Sequence, residues 1–405
     1  MRKGQSRYLS LLVLLLAGTL RAEPFVPEFP STVELPAHDG HEWFWLYGFR
    51  APNQGDSRAF LMGEKGEALG QLSMGFWGQS LHYAKSRGEI IALETYLARG
   101  TRGDRTDLVV LYDEKTLLPT REIIIPPKRM NAVRAGVTAR LTEDERFLLV
   151  VNHTPAQSVT IVDLASGEFV EEVETPGCSS LFDGGARDFY AICGNGSFLH
   201  LKLDDTGHVI ERSRSESLFD AVNDFLTVSG SKIGDTWYFV SRQNNIYGIR
   251  MTPDGVSVAG KWPLVSDSER EDGWQIAGLS HTAAHRETGR FYVLVGQAEP
   301  HEFEAPGSEV WVFETVTMTK TGEISMEELT LSIDVSQGSS PKLYALDFHI
   351  PLNMGATLWM ALMEGEDSLL EVMRQRANVY SAISGEHLFS SEMIPGGMVT
   401  GIRAW

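Results

Sequence analysis

Short apolar runs alternate with polar turns along most of this chain, and the pattern predicts β-strands. Two such runs, Leu108–Tyr112 and Glu122–Ile125, are joined by a polar turn at Asp113–Thr116. Pro126–Pro127 follows the second run, and proline ends a strand because it has no N–H to donate to the ladder. A loop rich in Arg, Gly and Asp precedes the pair. This stretch therefore predicts two paired strands bounded by polar loops.

The same arrangement recurs and is clearest in Arg146–Val173. Its apolar runs Phe147–Val151, Ser158–Val162 and Phe169–Val173 predict three strands, with a turn at Asp163–Glu168 between the last two. Several strands end in an apolar residue followed by Asp or Glu and a polar turn, as in VLYDEKT, IVDLASGE, LKLDDTG and WVFETVT. Because helical periodicity is almost absent, we expect an all-β protein built from repeated units.

About seven such units, each of roughly 55 residues, fill the chain after its N-terminal segment, and propeller blades have ~40–50 residues. Radial repetition protects strand edges, since each small sheet packs against its neighbours. The predicted fold is all-β, a seven-bladed β-propeller over residues 46–405. An eight-bladed propeller and two β-sandwich domains are the alternatives. Residues 23–45, rich in Pro and Glu, are expected to form an N-terminal arm or a loosely ordered tail.

Residues 1–22 have the pattern of a secretory signal peptide. Arg2, Lys3 and Arg7 are basic, Leu9–Leu16 is apolar, and Thr19–Ala22 offers a cleavage site. The apolar run is too short to span a bilayer, although an uncleaved anchor is the alternative interpretation. We therefore expect a cleaved signal peptide and a location in the periplasm.

The net charge limits the partners that can be expected, and the cysteine content bears on the cellular compartment. The formal net charge is −19, and removing a signal with four basic and no acidic residues lowers it to −23. Nucleic acid and anionic membranes need positive patches, so neither is an expected partner. The two cysteines, Cys178 and Cys193, are most simply a disulfide in an oxidising compartment. A metal or redox pair is the alternative, but CxxC spacing and a nearby His are missing.

No catalytic motif is found in the sequence. Phosphate-binding glycine loops, HExxH, GxSxG and CxxCH are all absent. His281 and His285 lie four residues apart, but the sequence around them predicts a strand and turn rather than a helix that would align them for a metal. His301, Glu302 and Glu304 lie in a loop and lack a further ligand at useful spacing.

Aromatic residues give one candidate binding surface. Phe76–Trp77 lies in a glycine-flanked loop, SMGFWGQS, where apolar rings are harder to bury than in a strand. Burial of this pair under a neighbouring loop is the alternative. Trp311, in the apolar run SEVWVFE, is expected in the core.

Longer pieces of sequence carry a family resemblance. RGTRGDRTD, EIIIPPKR, FLLVVNHTPAQSVTIVDL, TPGC, ICGNGSFLHLKLD, SRSESLF, WPL, GRFYVLV and EVWVFE occur in this order along the chain. In wording and order, they resemble the heavy (large) subunit of the quinoprotein amine dehydrogenases, the methylamine and aromatic amine types. The PPKR and SRSESLF pieces favour the aromatic amine type.

The resemblance implies a function shared between two subunits. Such enzymes deaminate primary amines oxidatively to aldehyde and ammonia and pass the electrons to a blue copper protein, amicyanin- or azurin-like. Their cofactor, tryptophan tryptophylquinone, is built in a separate light (small) subunit, and the assembly has two heavy and two light chains. This chain would then carry no cofactor, metal or catalytic residue. It would contain the disulfide Cys178–Cys193, and Phe76 would line the substrate channel.

Two departures from the family pattern concern the substrate and the docking surfaces. Trp274 is followed by Gln-Ile-Ala-Gly instead of a proline-containing turn, and His301 is followed by Glu302 where Lys is usual. Two other functions remain open from the residues alone. One is a cofactor-free propeller that acts as a protein-binding scaffold, and the other is a metal-dependent propeller hydrolase such as a lactonase.

Overall fold

The computed structural model describes residues 34–36, 38, 40–48, 55–131, 136–299, 302, 304–349, 374–392, 394 and 399–405. This part of the chain is antiparallel β-structure with one short helix, α1 (Asp267–Glu271), and 3-10 turns at Lys85–Arg87 and Gly136–Thr138. Its strands belong to one compact unit, Leu35–Trp405. No helix among these residues is long and apolar enough to cross a membrane. The signal peptide 1–22 and most of the arm 23–45 lie outside the described residues, so the segment boundaries stay predictions.

Four of the sheets are consecutive four-stranded meanders. The first contains β4 (Leu81–Ala84), β5 (Glu89–Leu97), β6 (Arg105–Asp113) and β7 (Pro119–Ile125). The next contains β8 (Ala139–Leu141), β9 (Phe147–Asn152), β10 (Ser158–Asp163) and β11 (Glu168–Glu174). It is followed by β12 (Cys178–Asp183), β13 (Asp188–Cys193), β14 (Phe198–Leu203) and β15 (Val209–Arg214). The last contains β16 (Leu226–Ile233), β17 (Thr236–Ser241), β18 (Asn245–Thr252) and β19 (Gly255–Pro263).

A fifth four-stranded sheet joins the two ends of the folded unit. Strands β1 (Phe44–Gly48), β2 (Ser57–Met62) and β3 (Ala68–Gly75) form a meander, and β28 (Gly401–Ala404) pairs with the free side of β1. The register places Phe44 opposite Ala404 and Tyr47 opposite Gly401. The fold is therefore closed by a strand from the far end of the sequence, as in a β-propeller.

The remaining strands form one eight-stranded sheet. They are β20 (Trp274–Ile276), β21 (Thr282–His285), β22 (Arg290–Gln297), β23 (Gly307–Glu314), β24 (Thr319–Val335), β25 (Lys342–His349), β26 (Arg374–Ser381) and β27 (His387–Ser390). The all-β propeller is confirmed, but the described residues form five separate blades, so the prediction of seven is wrong. The reason is β24, a continuous strand of 17 residues that pairs with β23 through its first part and with β25 through its second.

Burial distinguishes the inner and outer edges of the blades. The final strands β7, β11 and β15 are mostly exposed or half-buried, whereas the opposite edge strands β4 and β12 are mostly buried. Over the residues whose structure is described, the core forms seven hydrophobic clusters, each between successive groups of strands, and one of them lies inside the eight-stranded sheet. The stability of the fold thus depends on face-to-face packing of neighbouring sheets.

The predicted strand and turn chemistry is confirmed in the clearest units. Strand β7 ends at Ile125, immediately before the double proline, and β9, β10 and β11 extend each predicted strand of that unit by one or two residues. Asp113 accepts hydrogen bonds from the N–H and hydroxyl of Thr116, at 2.7 and 2.8 Å, and Asp204 likewise binds Thr206 at 2.8 and 2.7 Å. These bonds lower the pKa of both carboxyls. The aspartate after each apolar run therefore fixes the turn.

The predicted disulfide is present. Cys178 on β12 and Cys193 on β13 are directly opposed in the register, and their sulfurs are bonded. Both are buried in the cluster between the sheets β8–β11 and β12–β15. The disulfide therefore links the inner edge strand of this blade, β12, to the second strand of the same blade, β13.

Candidate functional site

Phe76 lies where the sequence predicts it, in the connection from β3 to β4. We name Gly75–Gly78 the aromatic loop. Both Phe76 and Trp77 are half-buried, so neither alternative, an exposed surface or full burial, describes the pair. The Phe76 N–H donates to the carbonyl of Thr95 on β5 at 2.8 Å. The loop therefore leaves the outer strand of one blade and lies against the second strand of the next.

The glycines of the aromatic loop are required by its close contacts. Gly75 has φ of 63°, and a Cβ there would lie 2.6 Å from the Thr95 carbonyl oxygen. A Cβ on Gly78 would lie 2.4 Å from the Met74 Cβ. Trp77 between them also has a positive φ, 50°, which costs energy in a residue other than glycine and persists only where the surroundings impose it. The turn is therefore tight and externally constrained.

A buried arginine provides that constraint. Arg129 lies in the connection from β7 to β8, and its side chain is only 1% exposed. Its guanidinium donates to the carbonyl of Phe76 at 2.9 Å and to the carbonyl of Trp77 at 3.4 Å. Its Nε donates to the hydroxyl of Thr95 at 2.7 Å. One side chain from a later connection thus holds both aromatic residues by their backbone.

Asp107, on β6, supplies the opposing charge. Its carboxylate is fully buried and accepts hydrogen bonds from the Thr95 hydroxyl at 2.6 Å and the Arg129 N–H at 2.9 Å. Arg105 donates to it twice, each at 2.8 Å, and also donates to the Arg129 carbonyl at 2.7 Å. Every one of these contacts is a charge-assisted or backbone hydrogen bond, which fixes geometry more strongly than a solvated ion pair.

The electrostatics keep Arg129 charged. Burial lowers its pKa to about 10, and the negative charge of Asp107 opposes this effect. At neutral pH the guanidinium is therefore protonated and retains all its donors. We name Thr95, Arg105, Asp107 and Arg129 the arginine clamp.

Two sequence pieces that carry the family resemblance contain clamp residues, but the sequence alone does not show that these residues form one site. Arg105, Thr106 and Asp107 are the RTD of RGTRGDRTD, and Arg129 ends EIIIPPKR, two of the pieces that carry the family resemblance. Nothing in their spacing links them to Phe76, because 53 residues separate the Phe76 carbonyl from its donor. The structure brings these three pieces together in one place.

The histidines considered as metal ligands have other partners. His281 is buried and bonds the Thr227 hydroxyl at 2.7 Å through Nε2, and burial lowers its pKa to about 4. His285 bonds the Thr288 hydroxyl and the Gly338 carbonyl. Within the described ranges, no three His, Cys, Asp or Glu side chains are grouped so as to hold a metal. His301 lies outside those ranges.

A second buried polar network lies between β24, β25 and β26. The Asp347 carboxyl is fully buried and accepts from the Thr330 hydroxyl at 2.6 Å and from the Asn378 amide at 2.7 Å. Glu328 binds Arg376 beside it, with contacts of 2.9 and 3.0 Å. Burial raises the pKa of Asp347 to about 7. This network joins the strands of the eight-stranded sheet and is distant in sequence from the aromatic loop.

Asp347 makes stability depend on pH. The folded state holds its proton up to about pH 7 and the unfolded chain only up to about 4, so stability falls as pH rises through that window. Asp347→Asn should remove this fall, because an amide can donate to Thr330 and accept from Asn378 without charge. Relative to the native chain, we expect the variant to gain roughly 1.4 kcal/mol between pH 6 and 8 in urea unfolding. Parallel stability curves for the two proteins would contradict this expectation.

A pocket of about 320 Å³ is separate from the aromatic loop. Its walls include Phe60, Met62 and Ile394, together with the first residues of β3, 68–71. Phe76 follows the last residue of that strand, so the two features lie at opposite ends of β3.

Comparison with known proteins agrees with the family resemblance. The family model described as methylamine dehydrogenase heavy chain (MADH) matches residues 56–353. The methylamine dehydrogenase heavy chain of Paracoccus versutus is 29% identical over 292 residues, 70% of this chain and 66% of that protein. The heavy chain of Methylophilus methylotrophus is 27% identical over 266 residues, 64% of this chain and 65% of that protein. The chain thus spans just under two thirds of the length of these two relatives.

Solved structures support the fold alone. A candidate 6-phosphogluconolactonase from Bacteroides uniformis superposes with a TM-score of 0.55 at 9% identity, covering 90% of this chain and 99% of that chain. The dihydro-heme d1 dehydrogenase NirN gives a TM-score of 0.51 at 13% identity over 99% of this chain and 86% of that chain. Since the family model covers well over half of the chain and includes the aromatic loop and the arginine clamp, this chain belongs to the methylamine dehydrogenase heavy chain family.

Proposed function

We propose that this chain is the heavy subunit of a dehydrogenase that converts primary amines to aldehyde and ammonia. The observation that carries the proposal is the aromatic loop. Its half-buried aromatic residues are held by the very sequence pieces that resemble the family, and all of them lie within the matched residues 56–353. The light subunit would dock on this chain, in an assembly of two heavy and two light chains.

A tryptophylquinone needs two covalently linked indoles that the amine can reach, and the indole pairs named below, from the described part of the chain, do not offer such access. In the described ranges Trp45 and Trp405 stack with ring centroids 5.1 Å apart, and Trp274 lies 5.4 Å from Trp311 in a tilted arrangement. Trp45 and Trp311 are buried among core side chains. We therefore place the quinone in the light subunit, where it would accept the electrons of the amine.

Phe76 would form a wall of the amine channel. An apolar ring at that position excludes water and limits the size of the side chain that can pass, while the strained turn keeps the ring in place. The distinction between methylamine and larger aromatic amines would then depend on this wall. The electrons would leave through a blue copper protein, amicyanin- or azurin-like.

The periplasm is the proposed location. The signal-like pattern of residues 1–22 supports it, and so does the bonded pair Cys178–Cys193, because disulfides persist in oxidising compartments. The net charge of −19 favours solubility and offers no general attraction to nucleic acid.

Co-purification tests the subunit assignment. The chain, produced in its native host with an affinity tag, should bring down a small, cysteine-rich protein with visible quinone absorbance, and the complex should oxidise a primary amine with a dye as acceptor. The chain purified alone should show no such activity. Amine oxidation by the isolated, folded chain would refute the proposal.

Phe76→Ala should change amine selectivity while the complex stays assembled. Removing the ring widens the channel, so we expect kcat/KM for a phenylethylamine to change relative to methylamine by roughly tenfold. Steady-state kinetics on both amines measure the ratio. Phe169→Ala is the matched control, because Phe169 is 44% exposed on the outer strand β11. An unchanged ratio in the Phe76 variant would contradict the channel role.

A further inference from the structure

Arg129 holds the aromatic loop from outside the blade that the loop leaves. The loop connects β3 to β4, whereas Arg129 follows β7, at the other edge of the blade that begins with β4. Its guanidinium bonds both the loop carbonyls and Thr95 of β5, whose hydroxyl lies 2.7 Å from Nε. A substitution that alters the guanidinium therefore acts on the loop directly, through these hydrogen bonds, and not through β3, the strand that leads into the loop.

The contacts of Arg129 are directed at backbone oxygens. A guanidinium offers its donors in a rigid plane, so bonds to the carbonyls of Phe76 and Trp77 define the orientation of two successive peptide groups. The peptide orientation determines the direction in which the Phe76 side chain leaves the backbone. At Trp77 the positive φ requires such external support.

Asp107, whose negative charge offsets that of Arg129, forms its hydrogen bonds with groups other than the Arg129 guanidinium. Asp107 accepts the Arg129 backbone N–H, the Thr95 hydroxyl and two donors of Arg105, and no direct bond joins its carboxylate to the Arg129 guanidinium among the described contacts. The guanidinium is thereby left to the two loop carbonyls and Thr95. If Arg129 served only to neutralise Asp107, its guanidinium would bond the Asp107 carboxylate and not the loop carbonyls.

We propose that Arg129 is a positioning residue for amine selectivity: its guanidinium sets the orientation of Phe76 in the channel. The inference rests on the proposed function, and it adds a residue that touches neither amine nor quinone. Lysine at this position keeps the charge but presents one compact donor group instead of a planar fork, so it cannot hold both carbonyls and Thr95 in the same geometry.

Arg129→Lys in the complex with the light subunit is the first test. We expect the ratio of kcat/KM for a phenylethylamine to that for methylamine to change roughly tenfold, because small displacements at a reacting centre have large kinetic effects. In a Phe76→Ala background, Arg129→Lys should produce no further change in the ratio, since the ring it orients is absent. A merely structural role would lower both rates together and leave the ratio unchanged.

Hydrogen exchange on the heavy chain gives a second readout that needs no amine oxidation. Amides of residues 75–80 should exchange roughly tenfold faster in Arg129→Lys than in the native chain. Arg121→Lys is the matched control, because Arg121 also donates to two carbonyls, those of Leu164 and Ala165, at 3.1 and 3.3 Å in another turn. It should leave both exchange at 75–80 and the selectivity ratio unchanged.

Each outcome decides between the two proposals. If Phe76→Ala changes the ratio and Arg129→Lys changes neither ratio nor exchange, the positioning role is refuted and the proposed function stands. If the complex oxidises no amine, the proposed function fails, and the inference fails with it even if exchange increases. If Arg129→Lys does not fold, Thr95→Val replaces it, since it removes the hydroxyl that receives Nε. An unchanged ratio in the Thr95 variant refutes the positioning role.

Discussion

Replacing Asp107 by alanine should lower the free energy of unfolding by about 3–5 kcal/mol, the usual effect of removing one partner from a buried charged network. The carboxylate is fully buried and accepts four hydrogen bonds, from Thr95, Arg129 and twice from Arg105. Without it, Arg105 loses its ion-pair partner, and Arg129 loses the largest of the negative charges that offset the burial of its guanidinium. Equilibrium unfolding in urea, followed by circular dichroism, measures the loss.

Asp56→Ala is the control for the Asp107 variant. Asp56 also binds an arginine, Arg58, at 2.9 Å, but both side chains are about one third exposed. We expect a loss within about 1 kcal/mol there, as for surface ion pairs in general. A similar small loss for Asp107→Ala would show that the arginine clamp contributes little to stability, and would weaken its assignment as a rigid support.

Removing the disulfide should have the second largest effect. In the double variant Cys178→Ala, Cys193→Ala, we expect a loss of about 3 kcal/mol, since the bridge closes a loop of 15 residues in the unfolded chain. Thermal and urea unfolding in the absence of reductant measure it. A reductant should destabilise the native chain by a similar amount and leave the double variant unchanged. Equal stability of native and variant chains would contradict the expected contribution.

Strand positions were largely predictable because the chemistry that ends each strand is local. Pro126 follows directly on β7, and Asp113 and Asp204 bind the turn residues two or three positions ahead of them. The blade count depends on β24, where the sequence TKTGEISMEELTLSIDV offers no proline and no Asp-turn between its two halves. A count of units along the chain therefore could not show that one continuous strand would join two groups of strands into a single sheet.

The aromatic loop was predictable from composition, since Gly75 and Gly78 flank two large rings. The arginine clamp was not, because its members lie on two strands, β5 and β6, and in the connection from β7 to β8. An arginine after a double proline gives the same local pattern whether it is solvated or, like Arg129, buried against a loop 53 residues earlier. The family resemblance singled out the sequence pieces that contain the clamp residues. Only the contacts in the structure show that these pieces together hold the aromatic loop.

The pairing of β28 with β1 has a consequence for biosynthesis. While the chain is being made, the sheet that begins with β1 lacks its neighbouring edge strand until residues 401–404 emerge, so the N–H and C=O groups along one side of β1 stay without partners. The blades β4–β7 through β16–β19 are contiguous in sequence and have no such delay. Until β28 pairs with β1, the folding polypeptide thus carries an open edge at which another chain could add a strand.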